Sequence, residues 1–437
     1  MVRHRVVLST VGSLGDLHPF IALALRLKRR NVTPVIASFA EYQDKVESEG
    51  LEFRAIEPAF ATVFRDLGMD QAEVVRRVIS SELFLFRDVL FPYLRTAYES
   101  ALTAQKGADL VLSSSIAFGA RLAAERARIP CIAVVLQPMM FMSAYDPPTI
   151  PHPIWLGPVL RRLGPTVARV AFNLGKHTLL RSLTRPVRAF RAEMGLPDGS
   201  SDSVFDGQFT EAGAIGLYSP LLGPSQPDYP SPSEVVGFAY YDSESGGQSG
   251  LDPELQRFIA NGTAPIVFTL GSTVVNYAGA EGFYRDSLAA ARKLGRRAIL
   301  LMGERIDPRV QEDRGEDFLA CRYVPHSQLF PHAAAIVHQG GVGTLAQALR
   351  VGRPELIVPF YADQFDNADR AVRLCVGRSI HYRQYRTATA AQALSELLRD
   401  PTYEVRAQEV AAQVIAQEGA ERAAELVCRF LESGSIS

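Results

Sequence analysis

Apolar and polar positions fall into two alternating series of strand-like and helix-like periods. HRVVLSTV (4–11) is a β-branched apolar run. A helical period follows from near Leu17, with Pro19 in its first turn and Phe20, Leu23, Ala24 and Leu27 at core spacing. VTPVIAS (32–38), EFRAI (52–56), DLVLSSS (109–115) and CIAVVLQ (131–137) read as further strands, with a helix-like segment over 41–49. Such alternation predicts a parallel, doubly wound α/β sheet. A second series opens at PIVFTLGST (265–273). It runs through a helix near 281–295, the strand RAILLMG, the strand AAAIVH ending at His338, and the run ELIVPF. Helical patterns at 402–417 and 419–432 close the chain.

Two stretches break the alternation. Residues 70–105 are helical and rich in Leu, Phe and Tyr, and residues 139–200 hold Met139, Met140, Phe141, Met142, Trp155 and several prolines. Between the two series, prolines at 220, 224, 227, 230 and 232 give way to the polar YYDSESGGQSGLD, which reads as a linker. The expected organisation is an N-terminal domain over 1–235, a linker over 236–262, a C-terminal domain over 263–415 and a terminal helical segment over 416–437. A chain of 437 residues exceeds the usual single core, which agrees with two domains.

Composition narrows the function class. With 47% hydrophobic and 21% charged residues the chain reads as an ordinary globular protein, and a net charge of −1 gives no argument for a nucleic-acid partner. Cys131, Cys321, Cys375 and Cys428 are far apart and show no metal-binding spacing, so free thiols in a reducing cytoplasm are expected. Gly12 and Asp16 interrupt the N-terminal apolar run too early for a signal peptide, and no window approaches the ~18 apolar residues of a membrane span. Between Asp146 and Glu193 there is no acidic residue, yet Arg161, Arg162, Arg169, Lys176, Arg181, Arg185, Arg188 and Arg191 occur among leucines and valines. This segment suits a solvated helical face. That reading comes first; the second is peripheral contact with an anionic membrane, at its inner face, or attraction of an acidic lipid acceptor.

Candidate chemistry concentrates between Tyr323 and Asn367. Gln339-Gly340-Gly341-Val342-Gly343-Thr344 lies between a strand and a helical pattern. Glycines there let backbone N–H groups approach a ligand, and the helix N-terminus behind them offers unpaired donors and partial positive charge. The parts describe a phosphate or diphosphate site, to which His338 can add a proton-donating contact and Thr344 a hydroxyl. Asp363-Gln364, after the run ELIVPF, can accept from and donate to sugar hydroxyls. Tyr323-Val324-Pro325-His326 offers an aromatic face for a base. Gly271-Ser272-Thr273 forms a second glycine-hydroxyl turn. Each motif has a plain structural reading as a tight turn or helix cap; the order base, diphosphate, sugar is what makes the set informative.

These residues resemble the donor-binding signature of inverting, nucleotide-sugar-dependent glycosyltransferases of the GT-B fold, and the resemblance covers nearly the whole chain. STVGSLGDLHPFIALALRLK resembles the opening of the sterol and antibiotic branches. LDPELQRFIANGTAPIVFTLGST and DQFDNADR resemble the rhamnosyltransferase chain of rhamnolipid synthesis. The resemblance implies two facing Rossmann-like domains with a cleft between them, and last helices that return to the N-terminal domain. It implies transfer of glucose or rhamnose from a UDP- or dTDP-sugar to a hydroxyl of a hydrophobic acceptor such as a phenol, flavonoid, sterol, polyketide or hydroxy fatty acid. Asp16 is the implied general base, with His18 as rival, and His338 is the second implied catalytic residue, stabilising the leaving diphosphate. His338, Ser13, Gly271, Ser272, Thr273, Tyr323, Val324, His326, Gly340, Gly341, Gly343, Thr344, Asp363 and Gln364 would hold the donor. The insertions would shape the acceptor pocket, with His18, Phe84, Met140 and Phe141 as contacts. Plant members carry a ribose-gripping glutamate where this chain has Ala346, followed by Gln347, so ribose recognition is open. No Asp-x-Asp pair occurs, which fits a site without cofactor or required metal. An epimerase or hydrolase acting on the donor alone, or a non-catalytic binding partner, are the other readings; the long apolar insertions argue against the first.

Overall fold

The computed structural model describes residues 3–197, 206–241, 251–277, 279–303, 310 and 315–436. Most of the polar linker stretch, residues 242–250, lies outside the described residues. The chain forms two compact units. The first comprises residues 1–69, 80–241 and 417–437, and the second comprises 70–79 and 242–416.

The first unit is built on a seven-stranded sheet of order β3-β2-β1-β4-β5-β6-β7. Its strands are β1 (Arg5–Ser9), β2 (Thr33–Ser38), β3 (Glu52–Ala55), β4 (Leu110–Ser114), β5 (Cys131–Val135), β6 (Ala214–Gly216) and β7 (Ser233–Val235), and every pairing is parallel. β4 and β5 are buried along their whole length, as expected for strands covered on both faces. The helix Gly419–Ser433 packs beside the helix Leu14–Arg29, where Arg30 pairs with Glu421 at 2.6 Å and with Glu425 at 3.2 Å.

The second unit carries a six-stranded parallel sheet of order β10-β9-β8-β11-β12-β13. Its strands are β8 (Ile266–Thr269), β9 (Ala298–Leu301), β10 (Phe318–Cys321), β11 (Ala335–His338), β12 (Glu355–Ile357) and β13 (Gly377–Ser379). Its main core gathers Phe268, Phe283, Tyr284, Leu300 and Val337 with Val75 and Ile79. Those last two come from the helix Gln71–Ser80, so part of the stretch expected to shape an acceptor pocket instead fills this core.

In each sheet the strand order reverses once, between β1 and β4 in the first and between β8 and β11 in the second. At such a switch point the loops leaving the carboxyl ends of neighbouring strands part to opposite faces and leave a crevice, the usual ligand position in open α/β sheets.

Candidate active site

In the first unit the crevice is lined by the turn after β1. The helix begins at Leu14, three residues before the sequence period suggested, because Ser13 and Asp16 close a capping box. Ser13 Oγ accepts from the Gly15 N–H at 3.2 Å, while Asp16 Oδ2 accepts from the Ser13 N–H at 2.8 Å and from its hydroxyl at 3.2 Å. Asp16 is therefore the third residue of the helix and reaches back over the turn. Gly12 makes the fold possible. Its φ is +133°, and a Cβ there would lie 2.3 Å from Asp16 Oδ2. Tyr42 donates to the Gly12 carbonyl at 3.0 Å, and the Thr10 hydroxyl donates to the Asp16 carbonyl at 3.2 Å.

Asp16 keeps some exposed surface, but the dense wall around its carboxyl removes most of its hydration. Burial pushes its pKa from 3.8 up to about 6, against the opposing hydrogen bonds from Ser13. Burial, then the nearby Asp16 and Glu41 charges, raise the Tyr42 phenol. His18 packs edge-on against Tyr241, centroids 5.1 Å apart.

The three other acceptor candidates are core residues. Phe84 and Met140 are buried, and Phe141 is taken up by stacking with Tyr229 at 3.9 Å and Phe209 at 5.4 Å. The apolar character that suggested acceptor contacts at these positions serves packing.

In the second unit the crevice lies between the turns after β8 and β11. Gly271 has φ +63° and starts the short helix Gly271–Val274; its N–H donates to Thr269 Oγ1 at 3.1 Å. Ser272 is exposed and Thr273 half-buried. Beside them, Gly341 is the N-cap of the helix Val342–Val351 and has no side chain with which to cap it. The first bond closing the helix runs from the Leu345 N–H to the Gly341 carbonyl at 2.9 Å, so the N–H groups of Val342, Gly343 and Thr344 are its first-turn donors. The Thr344 hydroxyl is buried and accepts from Gln339 Nε2 at 3.4 Å. Absence of a Cβ at Gly271 and Gly341 makes room for that amide.

His338 departs from the expected contact. Its ring is wholly buried; Nδ1 accepts from the Gly340 N–H at 3.1 Å and Nε2 lies 2.9 Å from Glu355 Oε2. A backbone N–H can only donate, so the ring proton sits on Nε2 and points at Glu355. Both nitrogens are spent inside the unit, and His338 shapes the turn in place of reaching a phosphate.

Asp363 and Gln364, expected to contact the sugar, are linked to the same turn. Asn367 Nδ2 donates to the Gly340 carbonyl at 2.9 Å and to Asp363 Oδ2 at 2.8 Å, tying the two loops together. Gln364 is buried, and its Oε1 accepts from the Phe360 N–H at 2.9 Å. Contact with a sugar hydroxyl must therefore come from its amide N–H₂. Ala362, just before them, holds a left-handed φ of +51°, a strained conformation for a residue with a Cβ. After β10, Tyr323 is 37% exposed, Val324 is buried and His326 stacks on Phe330 at 4.3 Å. Tyr323 and Val324 also line a cavity of about 320 Å³, with Asp252, Glu254 and Gln328 among its walls. Ala346 and Gln347 are buried.

Sequence reasoning missed Glu355, Asn367 and Gln339. Glu355 carried a signal, a lone charge opening an apolar strand; Gln339 carried none beyond opening the glycine turn, and Asn367 none beyond lying four residues after Asp363.

Known proteins agree with this architecture. Residues 6–134 match the glycosyltransferase family 28 N-terminal domain, and residues 293–429 match the C-terminal domain of erythromycin biosynthesis protein CIII-like proteins. The chain is 28% identical to O-mycaminosyltylonolide 6-deoxyallosyltransferase of Streptomyces fradiae, over 98% of each protein. It is 27% identical to a sterol 3-beta-glucosyltransferase of Neurospora crassa, over 98% of this chain but only 27% of that longer relative. Among solved structures, the glycotransferase of kitacinnamycin superposes with a TM-score of 0.71 at 21% identity, covering 99% of this chain and all of that one. Glycosyltransferase VinC, solved with dTDP, superposes with a TM-score of 0.66 at 18% identity over 98% of this chain and 99% of its own. At such identities the superpositions speak for the fold. They show the GT-B fold, and the two domain matches show a glycosyltransferase family 28 N-terminal domain joined to an erythromycin biosynthesis protein CIII-like C-terminal domain.

Proposed function

We propose that the protein is an inverting transferase that moves a hexose, glucose or rhamnose, from a UDP- or dTDP-sugar to a hydroxyl of a hydrophobic small molecule. The observation that carries this reading is the N-terminus of the Val342–Val351 helix, which lacks a side-chain cap and opens at the switch point of its sheet. Negative charge grows on the diphosphate as the anomeric bond breaks. Fixed N–H donors stabilise that developing charge more than the ground state. The helix end does by backbone what a metal held by paired carboxylates does elsewhere, so no metal is needed in this scheme. The exposed ring of Tyr323 stacks on uracil or thymine beside Val324 and His326, and Asp363 and Gln364 select the sugar. Binding of dTDP by VinC supports a dTDP donor.

Asp16 takes the proton from the acceptor hydroxyl as it attacks the face opposite the leaving diphosphate. An ordinary aspartate is a weak base for an alcohol. A pKa near 6 keeps Asp16 ionised at neutral pH while making it a better proton acceptor. A sterol and O-mycaminosyltylonolide figure in the names of the two relatives above, which supports a bulky, hydroxyl-bearing acceptor. The basic segment 161–191 supports peripheral contact with the inner face of a membrane.

The test is a matrix of UDP- and dTDP-hexoses against phenols, sterols, polyketides and hydroxy fatty acids, read by mass. Product anomeric configuration is then assigned by NMR. The expected product carries the configuration opposite to the donor. Retention contradicts the mechanism, and sugar release or isomerisation without acceptor transfers the reading to a hydrolase or epimerase of the same fold.

A further inference from the structure

Large apolar side chains reach the surface mainly in one place. Eight of the thirteen exposed large hydrophobics among the described residues lie between Tyr145 and Leu174. There the helices Leu156–Leu163 and Pro165–Gly175 form a small core of Ala144, Leu160 and Ala168, with Leu156, Ala171 and Phe172 packed against it. A second apolar stripe stays in water. Val167, Val170 and Leu174 follow one another at helical spacing on the second helix and are 43%, 64% and 64% exposed, while Leu163, the last residue of the first helix, is 58% and Trp155, at its start, 62% exposed. A contiguous exposed stripe of this kind marks an interaction surface.

The basic residues around it divide into two groups. Arg161 donates to the Pro147 carbonyl at 2.6 Å, Lys176 pairs with Asp206 at 2.6 Å, and Arg191 pairs with Glu125 at 2.6 Å; these three serve the fold. Arg162, Arg169, Arg181, Arg185 and Arg188 are exposed, with no acidic residue between Asp146 and Glu193 to offset them.

We propose that this face docks on an anionic lipid bilayer, with the Leu163–Leu174 stripe and Trp155 entering the boundary between headgroups and acyl chains and the exposed arginines meeting headgroup phosphates. This rests on the peripheral-contact reading above and narrows it: the inserting element is the helix pair 156–175, and the basic run as a whole is not. Charge selects the occupant. A second copy would set five arginines against five in a two-fold interface, whereas an anionic bilayer offers apolar depth and negative charge together. On the second helix the exposed residues from Val167 to Leu174 span about 10 Å of helical rise, and Trp155 and Leu163 at the two ends of the first helix add to the apolar surface. Among the described residues no helix is long and apolar enough to cross a membrane, so the element lies on the surface.

The test is co-sedimentation of the full chain with phosphatidylcholine vesicles, with and without phosphatidylglycerol. Wild type is expected to bind the anionic vesicles and to be released by salt. The L163S/V170S/L174S variant should lose roughly tenfold or more in partitioning with little change in melting temperature, since these side chains are more than half exposed. R162Q/R169Q should lose binding only to anionic vesicles. If wild type binds neither vesicle, the peripheral-contact reading itself falls. If wild type binds anionic vesicles and the triple variant binds equally well, that reading stands and the stripe assignment is wrong. A wild-type dimer that the triple variant converts to monomer, with vesicle binding unaltered, assigns the stripe to a second copy and also overturns the inference.

Discussion

His338 Nε2 stands 2.9 Å from Glu355 Oε2, and neither residue has any exposed surface. The pair fixes the tautomer that leaves Nδ1 to accept from Gly340, and so fixes the turn that presents the first-turn donors of the Val342–Val351 helix. Burial raises the Glu355 carboxyl, with the His338 hydrogen bond opposing it, and Oε1 has no partner. Glutamine keeps an acceptor for the His338 N–H, while leucine keeps none. E355Q is expected to resemble wild type. E355L should raise the donor Kd about tenfold, the order expected when a buried N–H is left unpaired. Nitrogen shifts of the His338 ring should report a tautomer change in E355L alone; calorimetry with nucleotide diphosphate checks the affinity.

In the proposed mechanism Asp16 sets the pH dependence. With its pKa at about 6, kcat/KM for acceptor should climb about tenfold per pH unit below that value and level off above it. Removing the base in D16N should lower kcat by roughly a hundredfold or more, and flatten this limb. Stability runs the other way. Folding raises this pKa above the unfolded value, so the contribution of Asp16 is complete below 3.8 and is lost as pH rises through about 6. Denaturant melts of D16N, whose amide oxygen still accepts from the Ser13 N–H, should lack that slope.

Gly12 tolerates no side chain. G12A puts a Cβ 2.3 Å from Asp16 Oδ2 in a backbone conformation that disfavours L-residues. The expected cost is about 1–3 kcal/mol of stability, with kcat falling more than the donor KM changes if the displaced carboxyl is the base proposed for the acceptor. Steady-state kinetics beside a urea melt separates the two effects.

Asn367 joins the turn at Gly340 to Asp363 through one amide. N367A removes both bonds at a buried position, and the expected effect is a rise in donor KM of roughly tenfold, equivalent to about 1.4 kcal/mol. Acceptor KM should hold constant. Saturation curves for each substrate distinguish this from general unfolding.

Much of the architecture was legible because the central strands are continuous apolar runs: β1, β2, β4, β5, β8, β11 and β12 each coincide with one. β12 spans only three residues but sits in the longer run ELIVPF, whereas the three-residue β6, β7 and β13 and the four-residue β10 were not set off by such a run and stayed hidden. The early start of the first helix was available in the Ser13-x-x-Asp16 spacing of a capping box and was overlooked, because Leu14-Gly15 reads as loop. The glycine turn was legible as chemistry, but the commitment of His338 to Glu355 was not. Seventeen residues separate them, and only the pairing of β11 with β12 brings them together. Phe141 failed for a related reason, since no sequence pattern distinguishes an aromatic ring lining a pocket from one stacked on Tyr229.

Val75 and Ile79 lie far from residue 242 in the chain yet complete the second unit's core, and residues 417–437 likewise rejoin the first unit. A fragment starting at the linker would fold around a void where two aliphatic side chains belong, and would aggregate or melt early. Hybrid enzymes that exchange one half with a relative at a single crossover would inherit the same defect. Recombination should respect three crossing points, near residues 70, 80 and 417, in addition to the linker.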